Sequence, residues 1–122
     1  MKKFITKDSG ERAEFDSGMQ RDTNSGKPRF ELTMPVGMSY DEQLLTRWAK
    51  LMGRGAEKYS TRNWEKANGK EELERFKESA FRHFIQWMSG EEDEDHSAAV
   101  LFNICGAEFV KWKLENEEKI HI

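Results

Sequence analysis

Cysteine is almost absent from this chain: Cys105 stands alone among 122 residues. That excludes an intramolecular disulfide framework. The residue sits inside an apolar run and is expected as a small buried hydrophobe, with a reactive thiol as the alternative. Also lacking is any stretch of the ~20 apolar residues that a membrane-spanning helix needs. The opening residues, Met1 to Asp8, contain no apolar segment of the signal-peptide kind, so a soluble cytoplasmic protein without membrane contact is expected. A dominant charge sign is missing too: 20 basic residues are mixed with 23 acidic ones, for a net charge of −3. Such a balance offers no broad basic surface for stable binding of duplex DNA, although local cationic clusters suffice to hold phosphates. Finally, apolar residues are few, at 36 %, and mean hydropathy is −0.91. A monomer of this size and composition buries only a thin core, so a helix apolar on every side needs cover from another subunit.

What is present divides into two parts. Residues 1–40 hold both prolines, Pro28 and Pro35, and the glycines Gly10, Gly18, Gly26 and Gly37. They read as an irregular arm, with short extended pieces near residues 3–6 and 29–32. Residues 41–122 read as a helical core domain. A first helix is expected over about residues 41–52, capped by Ser39 or Asp41 and ended by Gly53 and Gly55. Residues 58–70 read as a loop with a turn at Asn68-Gly69. A second helix is expected over about residues 71–88, with Leu73, Phe76, Ala80, Phe84 and Trp87 on one stripe and Gly90 as its stop. A third is expected over about residues 92–115, and its middle, Ala98 to Val110, is apolar on nearly every side. That pattern marks the central helix.

The chemistry-bearing residues gather around the second and third helices. Five consecutive acids, Glu91 to Asp95, open the third. Acids at a helix N-terminus complement the macrodipole, which is a sufficient structural explanation. Helical phase adds another: at ~100° per residue, Glu92, Asp95, His96, Ala99, Asn103 and Gly106 share one side. Asp93 and Glu94 then point elsewhere, and Glu91 lies at the edge. Carboxylate oxygens spaced like Glu92 and Asp95 suit Mg²⁺ or Mn²⁺. Ala99 and Gly106 leave that side open for a ligand or a neighbouring helix. Asn103 is a polar residue in an apolar run and must find partners, within the core or in a site. On the second helix, Glu74 and Glu78, four apart on one edge of the stripe, complete the carboxylate set if the two helices pack antiparallel, although Glu78 also suits an ion pair with Arg82. His83 lies about 140° around the helix from Glu78. It therefore serves another part of a pocket or is structural. In the loop, Lys58, Tyr59, Arg62, Asn63 and Trp64 combine cations for phosphates with rings and an amide for a base; a solvated loop anchored by a buried Trp fits equally. Lys27 and Arg29 give residues 21–30 a similar cationic character, which composition alone reads as a plain turn.

Several strings in order carry a family resemblance: Arg21-Asp22-Thr23, Gly26-Lys27-Pro28-Arg29-Phe30, Gly55-Ala56-Glu57-Lys58-Tyr59, Arg62-Asn63-Trp64, Ser79-Ala80-Phe81-Arg82-His83, Gly90-Glu91, Asp93-Glu94-Asp95-His96 and Asn103. Over about residues 15–110 the chain resembles the phage-rich dATP/dGTP diphosphohydrolases. The resemblance implies an all-α, MazG-like bundle of three to four helices behind an irregular N-terminal arm. It implies a pyrophosphohydrolase that cuts a purine deoxynucleoside triphosphate to monophosphate and pyrophosphate with Mg²⁺ or Mn²⁺. It also implies a homo-oligomer, dimer or tetramer, working in the host cytoplasm if phage-encoded. The chain departs from the pattern at Tyr59-Ser60, where relatives often carry Tyr-Gly. The MazG-like Glu-x-x-Glu pair has its nearest match in Glu71 and Glu74, at the very start of the second helix, and Glu78 is better placed. The site expected on this basis has Glu78 and Asp95 as catalytic carboxylates and Glu78, Glu91, Glu92 and Asp95 as metal ligands. His96 and Asn103 orient those ligands, and Lys27, Arg29, Lys58, Tyr59, Arg62, Asn63, Trp64, Arg82 and His83 hold the nucleotide. The alternatives are a non-catalytic nucleotide-binding or host-factor-blocking phage protein, and a purely structural helical module.

Overall fold

The computed structural model describes residues 4–23 and 25–120, with the side chains of residues 118–120 excluded. Lys3 and Asn24, which fall in an expected extended piece and an expected turn, lie outside the described residues. The chain divides into two compact units, Met1–Thr33 and Met34–Ile122. The dividing point precedes residue 41 because residues 34–43 are tied into the helical unit. Gln43 donates to the Met38 carbonyl at 3.2 Å, and Asp41 pairs with Lys50 at 2.8 Å.

The first unit contains a short antiparallel hairpin of β1 (Arg12–Glu14) and β2 (Gln20–Asp22), with Ala13 opposite Arg21. Gly18, at φ +89°, turns the chain between them. Arg12 bridges Asp8 at 2.8 Å and Asp22 at 2.6 Å, which ties the strand to the segment before it. The guanidinium beside Asp8 holds that carboxyl well below the usual carboxylate range. These strands fall where no extended piece is expected. Residues 4–6 have no regular structure, and residues 30–33 form a 3-10 turn instead of a strand.

The second unit is all-helical: α1 (Leu44–Lys58), α2 (Lys70–Met88) and α3 (His96–Ile120), with 3-10 turns at Tyr40–Glu42 and Asn63–Lys66. Helix α1 runs six residues past the expected end. Gly53 and Gly55 keep helical backbone, and the helix closes only where the Tyr59 N–H reaches the Gly55 carbonyl. Its start also differs, because Ser39 stands at the cap position of a separate 3-10 turn that contains Asp41, and Gln43 occupies the cap position of α1. Helix α2 has the expected extent, and Gly90 at φ +78° turns the chain after it.

Helix α3 is the central element, packing against both α1 and α2. Phe76 meets Phe102 at a centroid distance of 6.0 Å, while His83 meets His96. Rising numbers on α2 thus face falling numbers on α3, and the pair is antiparallel. The two helices pack tightly at Gly106, where a Cβ would lie 2.5 Å from the Phe76 ring. Glycine there lets the helices close upon one another. The open side expected around Gly106 is therefore filled by a helix. The half-buried face of α2 carries Leu73, Phe76, Ser79, Ala80, His83 and Gln86, whereas Phe84 and Trp87 are exposed. The stripe is rotated from the expected one, and the rotation turns His83 inward. The fully covered core is small and made largely of Ala67, Ala98, Ala99, Ala107 and Val110.

Candidate active site

The third helix begins at His96, not Glu92. Asp95 is the reason. Its Oδ1 accepts the Ala98 N–H at 3.2 Å and the Ser97 hydroxyl at 3.0 Å, and its carbonyl accepts the Ala99 N–H. A side-chain oxygen that satisfies an orphan N–H in the first turn is an N-cap, and the cap residue itself stands outside the helix. Arg47 of α1 adds a bond to the same Oδ1 at 2.9 Å. Glu91 to Glu94 therefore lie on an irregular link, and helical phase does not govern them. The expected common face of Glu92 and Asp95 does not form.

The link folds three of its acids, Glu91, Asp93 and Glu94, back toward an imidazole pair. His96 is buried to 2 % exposure. Its Nε2 lies 2.7 Å from Asp93 Oδ1 and its Nδ1 lies 2.8 Å from His83 Nδ1. One ligand-capable atom each from His83, Glu94 and His96 falls within 4.8 Å of the others, as does one each from Glu91, Asp93 and His96. Asp93 is held below the usual carboxylate range chiefly by its hydrogen bond with His96. Burial pushes the His83 pKa down, with Arg82 adding to the effect. His83 is consequently neutral at neutral pH and has a lone pair to offer.

The helical unit holds two neighbouring cavities, and His83, Asp93 and Glu94 of this cluster line one of them. One, of about 540 Å³, is lined by Ser79, His83, Asp93, Glu94, Asp95, Ala99 and Asn103, together with Leu51, Arg54 and Phe102. The other, of about 630 Å³, is lined by Lys58 to Trp64, the second half of α1 and Phe102. Leu51, Arg54 and Phe102 border both, so the two open onto a common seam. Volumes of this size suit a small organic ligand.

The loop residues of the second cavity are built from the backbone upward. Arg62 sits at φ 61°, the one positive-φ residue other than glycine among the described residues. It turns the chain into the 3-10 turn Asn63–Lys66. Trp64 then packs edge-on against Phe109 at 5.5 Å and Phe102 at 6.3 Å. Lys113 from α3 donates to the carbonyls of Glu65 and Ala67 and pins the turn from below. Tyr59 is exposed, with the Lys58 ammonium 5.1 Å from its ring centre.

Of the residues expected in the site, Asp95, His83 and Asn103 line the acidic cavity, and Lys58, Tyr59, Arg62, Asn63 and Trp64 line the cationic one. His96 lies behind the acidic cavity, against His83. Asn103 donates to the Ala99 carbonyl at 2.8 Å. Glu78 and Arg82 are exposed on α2 and line neither cavity, and neither do Glu91 and Glu92. Lys27 and Arg29 belong to the first unit, where Arg29 pairs with Glu31. As an all-oxygen Mg²⁺ site, Glu78, Glu91, Glu92 and Asp95 do not fit. Glu78 and Glu92 join no ligand-capable cluster among the described residues, and one oxygen of Asp95 already accepts three donors.

Arg54, Ser79, Asp93 and Glu94 enter the cavities without having been expected there. The signal for Arg54 is the spacing of Arg47, Leu51, Arg54 and Lys58 on one helical face. It is readable only if α1 is carried through Gly53 and Gly55.

Fold and cavities together define an all-helical domain with a two-part cleft, cationic and aromatic on one side, acidic and imidazole-lined on the other. The chain belongs to the family described as "dATP/dGTP diphosphohydrolase, N-terminal", whose model matches residues 17–120. That family name is one of hydrolases acting on nucleotides. No curated protein and no solved structure matches the chain. Among the described residues, no helix is long and apolar enough to cross a membrane.

Proposed function

We propose that the helical unit binds a purine deoxynucleoside triphosphate across the two-part cleft and hydrolyses it to the monophosphate and pyrophosphate. The observation that carries this reading is the shared seam at Leu51, Arg54 and Phe102, in a chain whose family is named for dATP and dGTP hydrolysis. The base and sugar lie against Tyr59, Asn63 and the Trp64 edge. Lys58, Arg62 and Arg54 neutralise the phosphates, and the chain of phosphates points past Arg54 to the acidic side. There a water attacks the α-phosphorus, and the bond to the bridging oxygen breaks. Pyrophosphate leaves with that oxygen, and the acidic wall of Asp93, Glu94 and Asp95 takes the proton from the water. Cations positioned on developing phosphate charge lower the barrier because they are held in place before the reaction.

Incubating the full chain with each deoxynucleoside triphosphate and Mg²⁺ or Mn²⁺, followed by product separation, tests the proposal. Monophosphate and pyrophosphate appear together, fastest from dATP or dGTP. Diphosphate with orthophosphate would refute it. A second reading, nucleotide binding without turnover, is favoured by the failure of the oxygen ligands to converge; it returns every nucleotide intact while still raising the melting temperature. In either reading a homo-oligomer, dimer or tetramer, is supported by the large apolar groups exposed on α2 and α3, among them Phe81 at 67 % and Trp112 at 56 %.

A further inference from the structure

We infer that His83, His96 and Glu94 form a binding site for one first-row transition-metal ion, of the Mn²⁺, Co²⁺ or Zn²⁺ kind, that discriminates against Mg²⁺. The inference is independent of whether the cleft hydrolyses nucleotides. It starts from the two imidazoles, which approach through like atoms, Nδ1 to Nδ1, at 2.8 Å. Two nitrogens bound to one ion at about 2.1 Å each are separated by about 3.0 Å at a right angle and about 3.4 Å at the tetrahedral angle. The pair needs to open by about 0.2–0.6 Å to share an ion. A Glu94 oxygen lies within 4.8 Å of a ring nitrogen of each histidine.

Asp93 supplies what such a site requires behind its ligands. A metal-bound histidine characteristically donates its other ring N–H to a carboxylate, which fixes the tautomer and raises the basicity of the ligating nitrogen. His96 Nε2 meets Asp93 Oδ1 at 2.7 Å. With that proton on Nε2, Nδ1 carries the lone pair, and it is this atom that faces His83. His96 is almost fully buried and its ring cannot swing away, whereas His83 and Glu94 open onto the acidic cavity. An ion placed there is reached by ligands from one side and retains positions for water or a phosphate oxygen on the other.

The donor set decides the metal. Two imidazole nitrogens and one carboxylate suit borderline transition ions, whereas Mg²⁺ takes oxygen ligands and sheds water reluctantly. The neighbouring group of Glu91, Asp93 and His96 is a weaker candidate. It has one nitrogen, and using Nε2 would take from His96 the partner that orients it.

The test uses the full chain, stripped with chelator and titrated with Co²⁺ while visible absorption and heat are followed. One saturable Co²⁺ per chain is expected, displaced by Zn²⁺ and retained in millimolar Mg²⁺. Asp93→Ala, at an exposed position, weakens Co²⁺ by about 10- to 100-fold, and His83→Gln weakens it further, with circular dichroism confirming that both variants fold. Absence of saturable binding, equal affinity in folded His83→Gln, or displacement by equimolar Mg²⁺ overturns the inference. A chain that hydrolyses dNTP with Mg²⁺ but has no saturable Co²⁺ site overturns it and leaves the hydrolase reading standing. A chain that binds Co²⁺ and returns nucleotide intact does the reverse.

Discussion

Replacing Asp95 by Ala and by Asn separates its architectural work from its charge. In the wild type, Asp95 caps α3 through Ala98 and joins α3 to α1 through Arg47. Loss of an N-cap side chain costs about 1 kcal/mol. The Arg47 pair is partly exposed, at 35 % and 23 % for the two side chains, and solvent screening reduces its worth to about 0.5 kcal/mol. Asp95→Ala removes both, so the expected loss is about 1.5 kcal/mol. The helical unit, Met34–Ile122, is of a size at which each kcal/mol moves the melting temperature by about 4–8 °C. Asp95→Ala should therefore melt about 6–12 °C lower. Asn is as good an N-cap as Asp, so Asp95→Asn gives up only the ion pair and melts about 2–4 °C lower. Differential scanning calorimetry on the three proteins measures both shifts. Equal melting of the two variants would refute the capping argument, since a residue whose value is mainly its charge loses it in either. With α3 still capped, turnover in Asp95→Asn reports on the carboxylate charge alone, and the proposed chemistry expects that turnover to vanish.

Three further outcomes follow from other parts of the cleft. Arg62→Gly relieves a left-handed backbone worth about 1–2 kcal/mol, so the protein melts higher, yet nucleotide binding measured by calorimetry weakens; unchanged affinity would remove Arg62 from the phosphate site. His83, in metal-free protein, has its folded pKa below the ordinary value of 6.5 because of burial. The folded state then binds fewer protons than the unfolded one. The stability His83 contributes is fully present above pH 6.5 and is lost as pH falls through its lowered folded value. An NMR titration of the ring with a midpoint above 6.5 would contradict this. Phe81→Ser combined with Trp112→Ser should convert an oligomer to monomer in light scattering, and an unchanged mass would place the subunit contact elsewhere.

The helical part of the fold was readable because apolar spacing and glycine punctuation agree along α2. They disagree along α1. Gly53 and Gly55 look like a stop, but a glycine ends a helix only where the chain takes a positive φ, and here both stay helical. Tertiary contact with α3 outweighs the ~1 kcal/mol that each glycine costs in a helix. The hairpin was not readable at all. Its strands have three residues each, are polar, and are held by the Arg12 bridges to Asp8 and Asp22 in place of an apolar face. Periodicity has nothing to register on such segments.

The acidic segment shows the same limit at the level of chemistry. The sequence singles out Glu91 to Asp95 as a group, and in the structure Asp95 lines one cavity with His83 and Asn103. The choice among the five acids rested on extending α3 backward by one turn. Asp95 is itself a strong N-cap, so the helix starts after it and the phase applied to Glu92 has no physical meaning. With the link irregular, Glu91, Asp93 and Glu94 each bring an oxygen within 4.8 Å of an imidazole nitrogen, and Asp93 makes the hydrogen bond to His96. Helical phase sets Asp93 and Glu94 aside and leaves Glu91 at the edge. The residue that decides which acids face the imidazoles is thus the one that decides where the helix begins, and capping has to be settled before any face is assigned to an acidic run.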